Sequence, residues 1–421
     1  MNEIDVSMVQ SADGMQGGKI DFTRIRTIDG LDVKDKRVLL RVDFNVPMQD
    51  GTVTDTTRIA RVLPTIKQLL SGGAKVIVLT HLGRPKGRPS PDTSLGPVAA
   101  KLKELLGMPV HFIRDCVGEE ARRGVHALKP GEVAVLENLR YHDGEEKNDP
   151  AFAKQLAELG DIYVDDAFSS AHRAHASIEA ITHLLPSYAG LLMMAEIRAL
   201  ERAVEHPERP VMAIAGGSKV STKIRVLTNL TARMDQLVLA GGMASTFLHA
   251  QGVEIGKSLC QPDAVPIVKE IMARAEQHDC ELVLPHDFIV ARELRTGAEW
   301  HVCDVGDIPP DLMIVDIGPK SVADLKRRFG EIKTLLWNGP VGAFEYAPFG
   351  DGTYTLMHEV ARLVQEGKLA AIAGGGDTVA ALNVAGVGQD FTYVSTAGGA
   401  FLEWLEGKTL PAVAALASSK A

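Results

Sequence analysis

The feature that most restricts the fold is a unit repeated along the chain: a short run rich in Val, Ile and Leu that stops abruptly at a polar or glycine-rich turn. In the first half "RVLL" leads into "RVDFNVP", "KVIVL" into "THLGRPKG", "EVAVL" into "ENLRYHDG" and "IYV" into "DDAFSSAHRAH". In the second half "VMAIA" leads into "GGSKVSTK", "QLVLA" into "GGMAS", "LMIV" into "DIGPKS", "TLLW" into "NGPVGAFE", "LAAIA" into "GGGDT" and "TYV" into "STAGGA". Apolar runs without alternation fit strands buried on both faces, as in parallel sheets. Helical patterns lie between them, one of them opening on Asp149 and Pro150, a cap and first-turn pair. Alternation of strand and helix means an α/β fold. Such sheets bind ligands beyond the carboxyl ends of their strands, and most of the unusual polar residues here sit there.

At 421 residues the chain is too long for one ordinary core, so two domains are expected. Their loops differ in chemistry. The first half carries Asp43, Asn45, His81, Arg84, Arg140, His172, Arg173 and His175, and the second carries glycines, Lys219, Lys223, Glu345 and Asp377. Between them "LPSYAGLLMMAEIRALERAVEHPERP" has a helical middle ended by Pro207 and Pro210, which places the boundary near residues 188–207. A content of 45% hydrophobic and 24% charged residues fits a globular chain. The net charge of -9 argues against broad binding to nucleic acid or anionic membranes, and no apolar run approaches spanning length. Cys116, Cys260, Cys280 and Cys303 are scattered, without metal-ligand spacing, and read as reduced thiols of a cytoplasmic protein. Residues 1 to about 20 contain acids and no apolar core, so a flexible extension is expected rather than a secretory signal.

On this acidic chain the loop Thr80–Pro89 gathers His81, Arg84, Lys86 and Arg88 without an acid, as a solvated turn or as one wall of an anion site. "AGGSKVSTK" follows a strand. Gly216 and Gly217 allow close backbone approach, and N–H groups at a helix start attract phosphate. Lys219 and Lys223, four apart, are expected on one helix face, either around an anion or simply solvated. In "AGGGDTVAAL", Asp377 alone reads as a helix cap, whereas beside a polyphosphate its carboxylate suits Mg²⁺. "GKS" at Gly256–Ser258 lacks the first glycine of a phosphate-binding loop and is set aside. His172 and His175 have no acidic or Cys partner at metal-site spacing, and Arg173 between them fits an anion better. Arg58 opens a helix, where the dipole gives it no advantage.

Together "RVDFNVP", "THLGRP", "LENLRYH", "DDAFSSAHRAHAS", "GGSKVSTKI", "LWNGPVGAFE", "GGGDTVAAL" and "STAGGAFLEWLEGKTLPAV" resemble phosphoglycerate kinase, in order, over roughly residues 22–415. The resemblance implies two Rossmann-like domains, each with a mostly parallel sheet flanked by helices, joined by a hinge helix. Residues 1–21 would be an extension without family counterpart. Residues 22–188 would bind 3-phosphoglycerate or 1,3-bisphosphoglycerate, 189–207 would connect, 208–402 would bind ATP or ADP with Mg²⁺, and 403–421 would return to the first domain. Substrate ligands carried over by position are Asp43, Phe44, Asn45, Arg58, His81, Leu82, Gly83, Arg84, Arg140 and Arg173. Those of the nucleotide are Lys219, Lys223, Gly318, Asn338, Glu345, Gly375, Gly376, Asp377 and Thr378, with Asp377 holding Mg²⁺. Arg58 and Lys219, assisted by backbone N–H groups at Gly374 and Gly398, would stabilise the moving phosphoryl group. The family's STGGG turn reads with Ala397 at its first glycine. The expected protein is a cytoplasmic monomer without nucleic-acid or membrane partners. A kinase for another small carboxylate and a two-domain anion-binding protein are the competing readings.

Overall fold

The structure, a computed structural model, describes residues 20–419. The expected N-terminal extension therefore lies outside the described residues, except for its last two. The described chain forms two compact units, residues 20–197 with 409–419 and residues 198–408. The first crossing falls inside the helix Leu191–Leu200, which runs on as a π-helical turn over Glu201–Glu205 before Pro207. The second falls between Lys408 and Thr409, a few residues beyond the break expected at 403.

The first unit is built on β1 (Arg37–Arg41), β4 (Lys75–Leu79), β5 (Val110–Ile113), β6 (Val133–Leu136), β7 (Ile162–Asp165) and β8 (Ser187–Ala189), with a small hairpin of β2 (Met48–Gln49) and β3 (Thr52–Val53) beside it. The sheet order is β5-β6-β4-β1-β7-β8, and every pair is parallel. Neighbouring residues of one strand feed opposite cores. Val38, Leu40, Val76 and Val78 pack on one face, and Leu39, Ile77 and Leu79 on the other. That two-sided burial is why these strands read as unbroken apolar runs. The Pro150–Ala157 helix begins as expected, with the Asp149 carboxylate accepting the Ala151 N–H at 2.8 Å. The last helix, Pro411–Ser418, belongs to this unit, where the Ala412 N–H donates to the Ala171 carbonyl at 3.1 Å.

The second unit is built on β9 (Val211–Ala215), β10 (Gln236–Leu239), β11 (Glu281–Val283), β15 (Thr334–Asn338), β16 (Ala370–Gly374) and β17 (Tyr393–Ser395), all parallel in the order β11-β10-β9-β15-β16-β17. This is the third-second-first-fourth-fifth-sixth order of the dinucleotide-binding fold. The first sheet differs in having its fourth strand inserted between its second and third. A separate antiparallel sheet, β13-β12-β14, comprises β12 (Asp287–Ala291), β13 (Trp300–Asp304) and β14 (Met313–Ile317). The run "LMIV" lies in this sheet, not in the parallel set where its composition placed it. Its first strand residues are only half buried.

Asp166, immediately after β7, fixes the start of the Leu191–Leu200 helix. Its Oδ1 accepts the Met193 N–H at 2.9 Å, and its Oδ2 accepts the Thr65 hydroxyl at 2.6 Å. Gly190 has no room for a Cβ, since one would stand 2.3 Å from the Asp166 carboxylate. Burial pushes Asp166 up to about 6 and the neighbouring Asp165 up to about 7. Both carboxyls thus keep their protons to higher pH when folded than when unfolded, where the pKa is about 3.9. Their contribution to stability is full below about pH 4 and is lost as the pH rises towards 7. In urea unfolding between pH 4 and pH 7, Asp166→Asn should flatten the wild-type decline, by at most about 1.4 kcal/mol per pH unit. An unchanged slope would show that Asp166 is already ionised in the folded state.

Candidate functional site

In the first unit, the loops after β1, β4, β6 and β7 bring cations together. Arg41, the last residue of β1, is 1% exposed. Its Nε donates to the Ser177 hydroxyl at 2.8 Å, one terminal nitrogen donates to the Val42 carbonyl, and the other lies 3.2 Å from His81 Nδ1. Burial, reinforced by the positive charge of Arg41, pushes His81 well below the usual imidazole range. It is therefore neutral and accepts from Arg41. Arg140 and Arg173 act on His81 in the same direction. Arg140 is itself buried, donating to the Gly83 carbonyl at 2.8 Å. Arg58, second residue of the Thr57–Ser71 helix, pairs with Asp43, which also accepts from the Ser169 hydroxyl. Asn45 accepts the Gly83 N–H at 2.9 Å and so ties the first loop to the second.

The structure therefore gathers Asp43, Asn45, Arg58, His81, Gly83, Arg140 and Arg173 at one edge of the sheet. Phe44 and Leu82 are buried, and part of their backbone is taken up inside the protein. The Phe44 N–H is engaged by Thr80 Oγ1 at 2.9 Å, and the Leu82 carbonyl by Asn138 at 2.7 Å. Arg84, Lys86 and Arg88 are exposed. His175 is pushed down to about 3 by burial and by Arg41, Arg140 and Arg173, so it is uncharged. It joins no group of potential metal ligands among the described residues. Sequence reasoning missed Arg41, although a lone Arg closing an apolar strand was a usable signal. It also missed Glu145, fully buried, whose carboxylate accepts the Ser177 hydroxyl at 2.6 Å and backbone N–H at 3.0 Å.

In the second unit a cavity of about 290 Å³ opens beyond β9, β10 and β15. Gly217, Ser218, Gly241, Gly242, Pro340, Val341 and Leu259 are among its walls, with Glu345 and Asp377 also lining it. Its floor depends on backbone crowding. A Cβ on Gly216 would stand 1.9 Å from the Pro340 carbonyl oxygen, and one on Gly242 2.6 Å from that of Ser218. Leu259 is 54% exposed, leaving an apolar side chain at the cavity. Beside the cavity, Lys223 Nζ donates to the Gly216 carbonyl at 2.8 Å and to Asn338 Oδ1 at 2.6 Å. Asn338 in turn donates to the Gly374 carbonyl at 2.8 Å, and Thr378 Oγ1 accepts the Gly339 N–H at 2.7 Å.

Two expectations need correction. Lys219 and Lys223 do not share a helix face. Val220–Thr222 form one 3-10 turn and the α-helix begins at Ile224, so both lysines precede it, with Lys219 extended and exposed. Gly318 does not line the cavity. It starts the Pro319–Phe329 helix against Asp287, whose carboxylate a Cβ would meet at 2.3 Å. In the turn that begins at Ser395, the positive φ, 53°, falls on Gly398 and not on Ala397. The rejected "GKS" lies in a turn, where the Ser258 N–H donates to the Ile255 carbonyl at 3.1 Å and the Lys257 N–H to the Leu312 carbonyl at 2.7 Å, with no α-helix directly after it. Gly375 has a φ of 98° and opens the Gly376–Ala385 helix, whose first turn carries Asp377. Asp377 is exposed and no ion pair engages it among the described residues. A lone oxygen-donor carboxylate at a cavity wall fits Mg²⁺, which takes few protein ligands and completes its shell with phosphate and water.

The family model described as "Phosphoglycerate kinase" matches residues 28–408. A phosphoglycerate kinase of Methylorubrum extorquens is 58% identical over 396 residues, covering 94% of this chain and 99% of the relative. One from a Ruegeria species is 56% identical over 391 residues, covering 93% and 99%. Among solved structures, the phosphoglycerate kinase of Coxiella burnetii superposes with a TM-score of 0.88 at 41% identity, covering 94% of this chain and all of that one. The enzyme from Pyrococcus horikoshii gives 0.77 at 32% identity, covering 93% and 98%.

Burial lowers Lys223 to about 8, against a smaller upward pull from Asp377. Its charge is therefore present below pH 8 and lost above it, and an anion bound nearby favours the charged form. ADP affinity, followed by calorimetric titration from pH 7 to pH 9, should fall above about pH 8 by up to about tenfold per unit. Lys223→Met should bind more weakly throughout and lack that limb. The same limb in the variant would assign the titration to another group.

Proposed function

Since this chain belongs to the phosphoglycerate kinase family, we infer that it reversibly transfers a phosphoryl group from 1,3-bisphosphoglycerate to ADP, giving 3-phosphoglycerate and ATP. The observation that carries the reading is the crowd of Arg41, Arg140 and Arg173 around a neutral His81. Cations held this close repel unless an anion of several charges lies among them, as the phosphorylated acid would. Arg58, steadied by Asp43, reaches the reacting end of that acid. The glycine-walled cavity takes the nucleotide base and ribose, with Glu345 at the sugar and Lys219, Lys223 and the Gly374–Thr378 turn at the phosphates. Asn338 acts indirectly, by orienting Lys223. Asp377 holds Mg²⁺, which when bound neutralises charge on the phosphate oxygens. No protein nucleophile is required, because phosphoryl transfer rests on positioning and charge stabilisation.

The acid-binding residues all precede residue 188 and the nucleotide-binding ones all follow 207. In-line transfer needs the two ligands in near contact with water excluded. The chain therefore acts by closing on both substrates, with hinges at Pro186–Gly190 and after Gly399. It works as a cytoplasmic monomer. No helix among the described residues is long and apolar enough to cross a membrane.

A coupled assay with 3-phosphoglycerate and MgATP tests the activity directly. Turnover on other small carboxylates, with none on 3-phosphoglycerate, would favour a kinase of different specificity, and binding of the acid without MgADP binding would favour a solute-binding protein. Arg58→Ala should cut turnover by about 10³-fold, the lower end for transition-state arginines, and weaken acid binding much less. Turnover within a few-fold of wild type would remove Arg58 from the reacting centre. In solution scattering, 3-phosphoglycerate with a non-transferable MgATP analogue should shrink the radius of gyration more than either alone, since only both together bridge the domains. An identical radius in the free and doubly liganded protein would refute closure.

A further inference from the structure

The reaction has no use for Asp316, yet the fold is built closely around it. This residue of β14 is 2% exposed. Its Oδ1 accepts the Ile317 N–H at 2.8 Å and its Oδ2 the Gly352 N–H at 2.9 Å. Gly342 and Gly352 press their backbones against it, since a Cβ on either would meet the carboxylate at 2.1 or 2.8 Å. Among the described residues no Lys, Arg or His pairs with it, and the charge that bears on it is that of Asp351, of the same sign. Burial, with that repulsion, pushes Asp316 up to about 7. A carboxylate so placed is short of a counter-charge.

Asp316 lines two cavities. One is the glycine-walled cavity described above. The other, about 310 Å³, has Ile289, Trp300, Val302, Ile317, Val322 and Pro348 among its walls. Asp351 and Thr355 also line it, and both are exposed. Trp300 and Val302, on β13, are 44% and 47% exposed. Large apolar side chains open to water around a concavity of this size, with a single buried charge, have the make-up of a small-molecule site.

We propose that this second cavity binds a small hydrophobic amine, its apolar body against Trp300, Val302 and Ile317 and its ammonium at the Asp316 carboxylate. The ammonium supplies the missing counter-charge. Trp300 offers a face that attracts cations, and Asp351 adds negative potential beside it. The two carboxylates turn away anions, so the cavity does not compete for nucleotide phosphates. Because β14 walls both cavities, the amine sits one strand away from the nucleotide without overlapping it.

The test is calorimetric titration of the intact, nucleotide-free protein with 2-phenylethylamine, and with 2-phenylethanol as its neutral counterpart. Saturable binding of one equivalent of the amine is expected, at least tenfold tighter than the alcohol. Thr355→Phe, an exposed substitution that fills the cavity, should abolish it, and Asp316→Asn should erase the preference for amine over alcohol. Saturating ADP should leave the amine bound. Equal binding of the two probes, undiminished binding by Thr355→Phe, one-for-one displacement by ADP, or no saturable binding at all would each overturn the proposal. Should Asp316→Asn fail to fold, the Thr355→Phe and alcohol comparisons decide alone.

Discussion

The cation-rich face of the first unit depends on one buried guanidinium. Arg41 closes an otherwise apolar strand, and its charge must be satisfied where water does not reach. It is satisfied by three groups from three parts of the chain, the Val42 carbonyl, the Ser177 hydroxyl and the His81 ring. Ser177 passes the demand on to Glu145, which is buried in turn. One desolvated charge thus fixes the loops after β1, β4 and β7 and the short helix Asp143–Glu146 relative to each other. Burial, reinforced by that charge, keeps His81 neutral, and beside Arg41 it serves as an acceptor.

The second unit's cavity is built differently. It has Gly217, Gly241 and Gly242 among its walls, and close backbone approach of Gly216 to Gly339, of Gly217 to Gly241 and of Ser218 to Gly242 shapes it. Side chains there would block the approach, so the sequence places glycines where the first unit places arginines. Beside the cavity the half-buried Lys223 is held in place by three hydrogen bonds to Gly216 and Asn338. The difference suits the two ligands. A small acid with charge at both ends needs side chains reaching from several loops, whereas a nucleotide needs a flat apolar slot and a cradle of N–H groups.

What the sequence made legible follows the same division. Parallel strands were readable because both faces are buried, as the alternate assignment of Leu39 and Leu40 to opposite cores shows. Polar residues at the strand ends were readable because nothing in a hydrophobic core explains them. "LMIV" was misplaced because composition records burial, not the direction of a neighbouring strand. The spacing of Lys219 and Lys223 was misread because a four-residue interval implies one face only if the helix has already begun, and here a 3-10 turn intervenes. Glu145 and Ser177 were invisible because their significance is wholly a matter of three-dimensional proximity to Arg41. Leu259 and Val341 were invisible because apolar residues lining a cavity look like any others. The hydrogen bond from the Gly339 N–H to Thr378 Oγ1 was equally beyond reach, linking residues 39 positions apart.

The crowding of cations has an energetic consequence that burial alone would not produce. Arg41, Arg140 and Arg173 each disfavour a proton on His81 and on His175. The histidines respond by staying neutral, which is the only relief available to them. Arginine cannot follow, since its pKa keeps it charged. The remaining repulsion is stored in the folded unit until an anion arrives. Binding then removes repulsion as well as adding attraction, and any ligand that binds the folded form alone raises its stability. Asp43, Glu145 and Glu146 supply only part of the balance, through Arg58, Ser177 and Arg140 respectively. A fully compensated cluster would be more stable empty and would hold its ligand less tightly. In the proposed reading, the deficit of acid around these arginines is the property by which the site would select a multiply charged anion over a neutral molecule of the same shape.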